Sequence, residues 1–109
     1  MTDMTKQRLA EKPTLAEFQS FIAELVEEKG WSKDPNEIFV LLNEEVGELA
    51  KELRRSWKKG MDEVRPQAAA ELADVFMYLA DLANAFGVDL EKAVRDKVAF
   101  NETRKEYGA

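Results

Sequence analysis

Residues 71–86 read ELADVFMYLADLANAF. Leu72, Val75, Phe76, Leu79, Leu82 and Phe86 each lie three or four residues from another of the set, which lays them along one stripe of a helix turning about 100° per residue. Glu71, Asp74, Tyr78 and Asp81 fall on one flank of that stripe. The apolar/polar alternation of a strand is missing. Gly87 supplies a C-terminal stop, and Asp89 is a side-chain cap for a further helix reaching about Glu106.

Upstream, Ile38, Leu42, Val46, Leu49 and Leu53 form a second stripe, with Glu45, Glu48 and Glu52 along its flank and Glu44 further round. Asp34, Pro35 and Glu37 are the start signal of this helix: a cap, a proline at the first position and an acid in the first turn. It is expected to run from about Asn36 to Trp57 or Lys58. Gly60 and Asp62 then break the pattern before the next helix, expected to start near Val64 or Pro66. Before all of these, Thr14 and Glu17 have the form of a capping box, opening a helix that runs to about Lys29 and stops at Gly30. The fold expected is therefore all-α, a four-helix bundle. Residues 1–12 are polar and aperiodic, a flexible N-terminal segment ahead of one helical domain over 13–109.

A chain of 109 residues with 45% hydrophobic content suits one domain with a core. A helical layer this small leaves apolar surface over, so self-association, with the bundle completed by dimerisation, is expected. The absence of cysteine excludes disulfides and thiolate zinc sites, and the absence of histidine excludes histidine bases and the Glu-x-x-His pattern of di-iron bundles. Any metal must be held by oxygen, which favours Mg²⁺, Mn²⁺ or Ca²⁺. A net charge of −6 argues against nucleic acid as a partner. No apolar run approaches a membrane span and the polar N-terminus does not read as a signal peptide, so a cytoplasmic location is expected.

The acidic flanks are where chemistry shows. Glu45/Glu48 and Glu71/Asp74 are each spaced i,i+3, so each pair shares a helical face. Packing the two helices side by side could bring the pairs together, where two carboxylates about 4 Å apart repel by about 4 kcal/mol at an effective dielectric near 20. A hard dication removes that cost and makes the cluster a ligand set. Acids on a helix are more often a solvated surface, but matched flanks on consecutive helices weigh against that reading. Gly47, costing about 1 kcal/mol in mid-helix, suggests a close approach to the backbone there. On the last helix, Lys97, Asn101 and Arg104 continue the inward face begun by Leu90, Ala93 and Val94. Phosphate oxygens are one reason for such a face; attraction of basic residues to the helix C-terminus is the other.

Glu44-Glu45-Val46-Gly47-Glu48, followed after residues 49–70 by Glu71-Leu72-Ala73-Asp74, resembles the EExxE…ExxD signature of the MazG-type pyrophosphohydrolases. This wider family includes dCTP pyrophosphatases, dimeric dUTPases and phosphoribosyl-ATP pyrophosphatases. Lys97, Asn101, Arg104, Lys105 and Tyr107 resemble the family's basic ending, with Tyr107-Gly108 where Tyr-Pro is often found. The resemblance implies hydrolysis of an NTP or dNTP between the α- and β-phosphates by metal-activated water, in the service of nucleotide-pool house-cleaning. It implies Mg²⁺, with Mn²⁺ as a substitute, on Glu45, Glu48, Glu71 and Asp74. Glu44 and Glu48 become the catalytic candidates, Glu44 as the base orienting the water. Lys97, Asn101 and Arg104 would hold phosphates, and Tyr78 would line the nucleotide pocket. Trp31, in the loop after the first helix, could stack on a base; Trp57 is a second candidate, and Gln19 could offer an amide to a base edge. A homodimer or homotetramer is the assembly implied. The alternatives are a phosphoribosyl-ATP pyrophosphatase and a helical interaction module that has lost catalysis.

Overall fold

A computed structural model describes residues 9–104. Most of the N-terminal segment 1–12, together with Lys105 and Tyr107, lies outside the described residues. Four helices follow one another: α1 Leu15–Lys29, α2 Pro35–Lys59, α3 Met61–Phe86 and α4 Leu90–Glu102. No strand occurs among the described residues. The fold is the expected all-α bundle.

Local chemistry sets the starts. Thr14 Oγ1 accepts the Glu17 N–H at 3.0 Å while Glu17 Oε1 accepts the Thr14 N–H at 2.9 Å, so two of the unpaired donors of the first turn are satisfied reciprocally. Asp34 accepts from the Asn36 N–H at 3.0 Å, with Pro35 at the first helical position. Asp89 accepts from the Lys92 N–H at 3.1 Å and opens α4. That helix ends at Glu102, short of the expected Glu106, with Thr103 as its cap.

One residue separates α2 from α3. Gly60 has φ 88° and ψ 157°, a conformation a Cβ would make costly, and the chain reverses there into a helical hairpin. α3 therefore begins at Met61 and not at Val64 or Pro66 as expected. Pro66 lies inside the helix. Its missing N–H leaves the Asp62 carbonyl without a helical partner, a cost kept small because both residues are exposed to solvent. Asp62 is not a breaker; its carboxylate pairs with Arg65 at 2.8 Å within the first turn.

α2 and α3 pack along their length, α1 packs on α3, and α4 packs on α1. Ile22, Leu25 and Val26 of α1 bury themselves against Ala80 of α3. The small Ala80 and Ala83 side chains, both buried, let α1 approach α3 closely, and the Phe18 and Phe76 rings stack beside them at 4.9 Å. Of the expected α2 stripe, Ile38 and Leu42 are buried, whereas Val46 and Leu53 remain 45% and 49% exposed. On α3, Leu72, Leu79 and Phe86 are likewise exposed, Leu72 by 54%. Within one chain these stripes are only partly covered. Nothing lies within 4 Å of where a Cβ on Gly47 would be. The close approach expected at Gly47 is thus absent inside the chain, whose neighbouring surface is open.

Candidate active site

The α2–α3 hairpin brings the two acidic flanks together. One carboxylate oxygen from each of Glu45, Glu71 and Asp74 lies within 4.8 Å of the others, all three residues being half-buried. The Glu45 carboxyl is harder to ionise than an ordinary one. Its pKa is raised by burial first, then by the Glu71 carboxylate, to which only the protonated form can donate, and then by the negative charges of Asp74, Glu71 and Glu48. Glu71 Oε2 is buried with no hydrogen-bond partner. Glu48, one turn on from Glu45, contributes its field but is exposed and stands outside the close group; Glu44 is also exposed.

Beside the cluster lies a cleft of about 320 Å³. Ile22, Leu25 and Val26 of α1 and Ile38 and Leu41 of α2 give it apolar walls, and Trp31 and Ser32 of the α1–α2 loop close one side. From α3, Asp74, Met77, Tyr78 and Asp81 face it. Asp74 is therefore shared between cluster and cleft. The Trp31 ring, 53% exposed, is positioned by the turn that ends α1, where the Trp31 N–H donates to the Val26 carbonyl at 3.1 Å. The Tyr78 hydroxyl is held protonated, its pKa raised by burial first and then by Glu45, Asp74, Asp81 and Glu44.

Three expectations need correction. Gln19 does not line the cleft: it is buried between α1 and the α3–α4 turn. Its Nε2 donates to Asn84 Oδ1 at 2.9 Å and to the Val88 carbonyl, and its Oε1 accepts the Leu90 N–H at 3.0 Å. Both amide hydrogens are committed, so none is left for a base. Trp57 is 80% exposed near the end of α2 and is not part of the cleft. The α4 face is not inward in the single chain, because α4 packs on α1 and none of its residues is buried. Lys97 and Arg104 are exposed and gather round the Phe100 ring, 4.9 and 5.7 Å from its centre. Asn101 is half-buried, its Oδ1 without a hydrogen-bond partner. Met77, Leu41, Ser32 and Asp81 also line the cleft, beyond the pocket residues expected from the sequence. Asp81 alone carried a sequence signal, its place on the Glu71–Asp74–Tyr78 flank.

A family model described as the MazG nucleotide pyrophosphohydrolase domain matches residues 33–108. The chain belongs to the MazG family. Among similar proteins, dCTP pyrophosphatase 1 of Mus musculus is 35% identical over 108 residues, covering 89% of this chain and 62% of the relative. The dCTP pyrophosphatase 1 of Homo sapiens is 34% identical over 101 residues, 85% of this chain and 59% of its own. A dATP/dGTP diphosphohydrolase of Cyanophage S-2L is 33% identical over 91 residues, covering 84% of this chain and 76% of the relative. The chain thus spans about six-tenths of the length of its mammalian MazG relatives.

The matched segment contains Glu44, Glu45, Glu48, Glu71 and Asp74. A divalent cation fits what this MazG chain presents: three converging carboxylates of like charge, one with an orphaned buried oxygen. An all-oxygen donor set of this kind suits a hard dication and not zinc or copper. Among the described residues no helix is long and apolar enough to cross a membrane.

Proposed function

We propose that the chain is a Mg²⁺-dependent nucleoside triphosphate pyrophosphohydrolase, converting an NTP or dNTP to the monophosphate and pyrophosphate. The observation that carries this is the adjacency of the carboxylate cluster, with its orphaned Glu71 oxygen, to an apolar cleft flanked by Trp31 and Tyr78. A cation site and a place for a base then sit side by side, as hydrolysis of a nucleotide's phosphate chain requires. The names of the relatives specify dCTP, dATP and dGTP, which favours deoxynucleotides here too.

Glu45, Glu71 and Asp74 would hold the cation, with Glu48 joining from the next turn of α2. When bound, Mg²⁺, or Mn²⁺ in its place, supplies neutralisation of phosphate oxygens and acidification of water. Glu44 and Glu48 lie on the exposed edge of α2, where a carboxylate can orient a water and take its proton. The water oxygen forms a bond to phosphorus, the bond to the α–β bridging oxygen breaks, and pyrophosphate leaves. Trp31 and Tyr78 would flank the base and exclude water from one side of it, fixing the nucleotide for in-line attack. Lys97, Asn101 and Arg104 would neutralise the phosphate chain. Since α4 packs on α1 and buries none of its residues within one chain, a homodimer or homotetramer that seats this face against a neighbouring subunit is part of the reading. The partly uncovered stripes of α2 and α3 support it.

The test is pyrophosphate release from a panel of NTPs and dNTPs, with wild type and Glu71→Gln side by side. The wild type should release pyrophosphate only with a divalent cation, and the variant should remain at background. Equal rates for the two proteins would contradict the assignment.

A further inference from the structure

α3 turns a second carboxylate toward the cleft. Asp74, Tyr78 and Asp81 succeed one another at steps of four and three, so they share one helical face, and all three line the cleft. Asp81 lies two turns beyond Asp74, about 10 Å along the axis at the rise of an α-helix. A separation of that order matches the span of a nucleoside from its 5′ oxygen to the edge of its base. Asp81 is only 9% exposed, and the wall it shares is apolar: Ile22, Leu25, Val26 and Met77.

Nothing in the described chain satisfies it. Asp81 has no hydrogen-bond or ion-pair partner among the described residues, and burial is what pushes its pKa up. Lys33 shares a smaller neighbouring recess with Asp81, but its ammonium is paired with Glu27. A carboxylate left this way costs folding free energy. A ligand that brought N–H donors into the cleft would offset that cost.

We propose that Asp81 reads the base, accepting hydrogen bonds from a nucleobase that carries an exocyclic amine, guanine foremost, and disfavouring thymine and uracil. The inference rests on the pyrophosphohydrolase reading and adds the substrate class to it. An ionised carboxylate is acceptor-only. Guanine presents its N1–H and its amine side by side, one for each carboxylate oxygen. The amines of cytosine and adenine present one such donor; a carboxylate accepting from the cytosine amine is an established pairing. Thymine and uracil set their lone N–H between two carbonyl oxygens, which would be forced against the oxygens of Asp81. A buried acceptor discriminates strongly because the wrong ligand leaves it unpaired.

The experiment compares kcat/KM for dGTP, dCTP, dATP, dTTP and dUTP in Mg²⁺, using wild type, Asp81→Asn and Asp81→Leu with folding confirmed by circular dichroism. It adds dITP, which is dGTP without the amine, so that the ligand is altered and the protein is not. Wild type should favour dGTP over dTTP by about ten- to a hundred-fold, the worth of a hydrogen bond to a charged group. It should favour dGTP over dITP by about ten-fold, and both variants should bring the dGTP:dTTP ratio down at least ten-fold. Equal wild-type rates on dGTP and dITP, or a ratio unchanged in folded variants, would overturn the role of Asp81 and leave the pyrophosphohydrolase reading standing. If wild type hydrolysed none of these nucleotides, the pyrophosphohydrolase reading would fall. Calorimetric affinities for the α,β-imido analogues of dGTP and dTTP would then judge Asp81 separately: a preference for dGTP abolished in the variants supports the inference, and equal affinities or no binding overturn it.

Discussion

Glu45, Glu71 and Asp74 converge, and the pKa of Glu45 is raised by burial first and then by the neighbouring carboxylates. Replacing Glu71 with Gln should therefore stabilise the metal-free protein, by about 1 kcal/mol for a like-charge contact with water nearby. The same change should remove cation-dependent turnover. Urea denaturation in EDTA reads the first effect, and a loss of stability there would mean the carboxylate is structural. Asp81 gives a pH dependence of defined sign. Its folded pKa lies above the unfolded value because burial disfavours the charge. Its contribution to stability is thus fully present below the unfolded carboxylate pKa, near about 4, and is lost as pH rises through the folded value. Asp81→Asn should be close to wild type in stability at low pH and increasingly more stable than wild type toward neutrality. Parallel denaturation midpoints across pH 4 to 8 in EDTA would contradict a buried, unpaired Asp81.

At the level of helices, what was legible in the sequence is what local chemistry decides. Thr14 with Glu17, Asp34 with Pro35, and Asp89 each act within three residues of where they stand, and each opens the helix expected of it. α3 starts earlier than the sequence suggests because Pro66 reads as a first-turn residue, although at an exposed position the helix tolerates it in its interior. The convergence of Glu45, Glu71 and Asp74 was legible because flank positions on adjoining helices must meet once the stripes pack. Gln19 was not, since its partners lie 65 to 71 residues away and only the tertiary fold brings them near. As a clamp between α1 and the α3–α4 turn, Gln19→Ala should cost about 1–3 kcal/mol, with base selectivity unchanged in the folded protein. Altered selectivity at full stability would return Gln19 to the nucleotide pocket. For α4 the expectation is reversed. Lys97→Ala or Arg104→Ala should leave stability nearly unaltered and weaken binding of a non-hydrolysable dNTP by about ten- to a hundred-fold. If α4 basicity merely answers the helix dipole, calorimetry will show unchanged affinity and a few tenths of a kcal/mol of stability lost.

The molecule as a whole has more apolar surface than its own helices cover. Val46 and Leu53 on α2, Leu72 and Leu79 on α3, and Val94, Val98 and Phe100 on α4 are all substantially exposed. Strips of this length on paired helices are normally buried against another copy. The small size of the helical layer already implies leftover apolar surface, but which stripes stay uncovered is not legible in the sequence, because a heptad-like stripe has the same pattern whether its partner is intramolecular or not. Light scattering at micromolar concentration should give at least twice the 12.4 kDa chain mass; a lone 12.4 kDa species would contradict the proposed assembly. The central claim is that the carboxylate cluster and its cleft cut a nucleoside triphosphate between the α- and β-phosphates. ³¹P NMR of the purified protein with dGTP or dCTP, first in EDTA and then with excess Mg²⁺, tests it most directly. The account predicts an unchanged triphosphate spectrum in EDTA, then monophosphate and pyrophosphate appearing in equal amounts on Mg²⁺ addition. Diphosphate with orthophosphate, or a triphosphate that survives Mg²⁺, would contradict it.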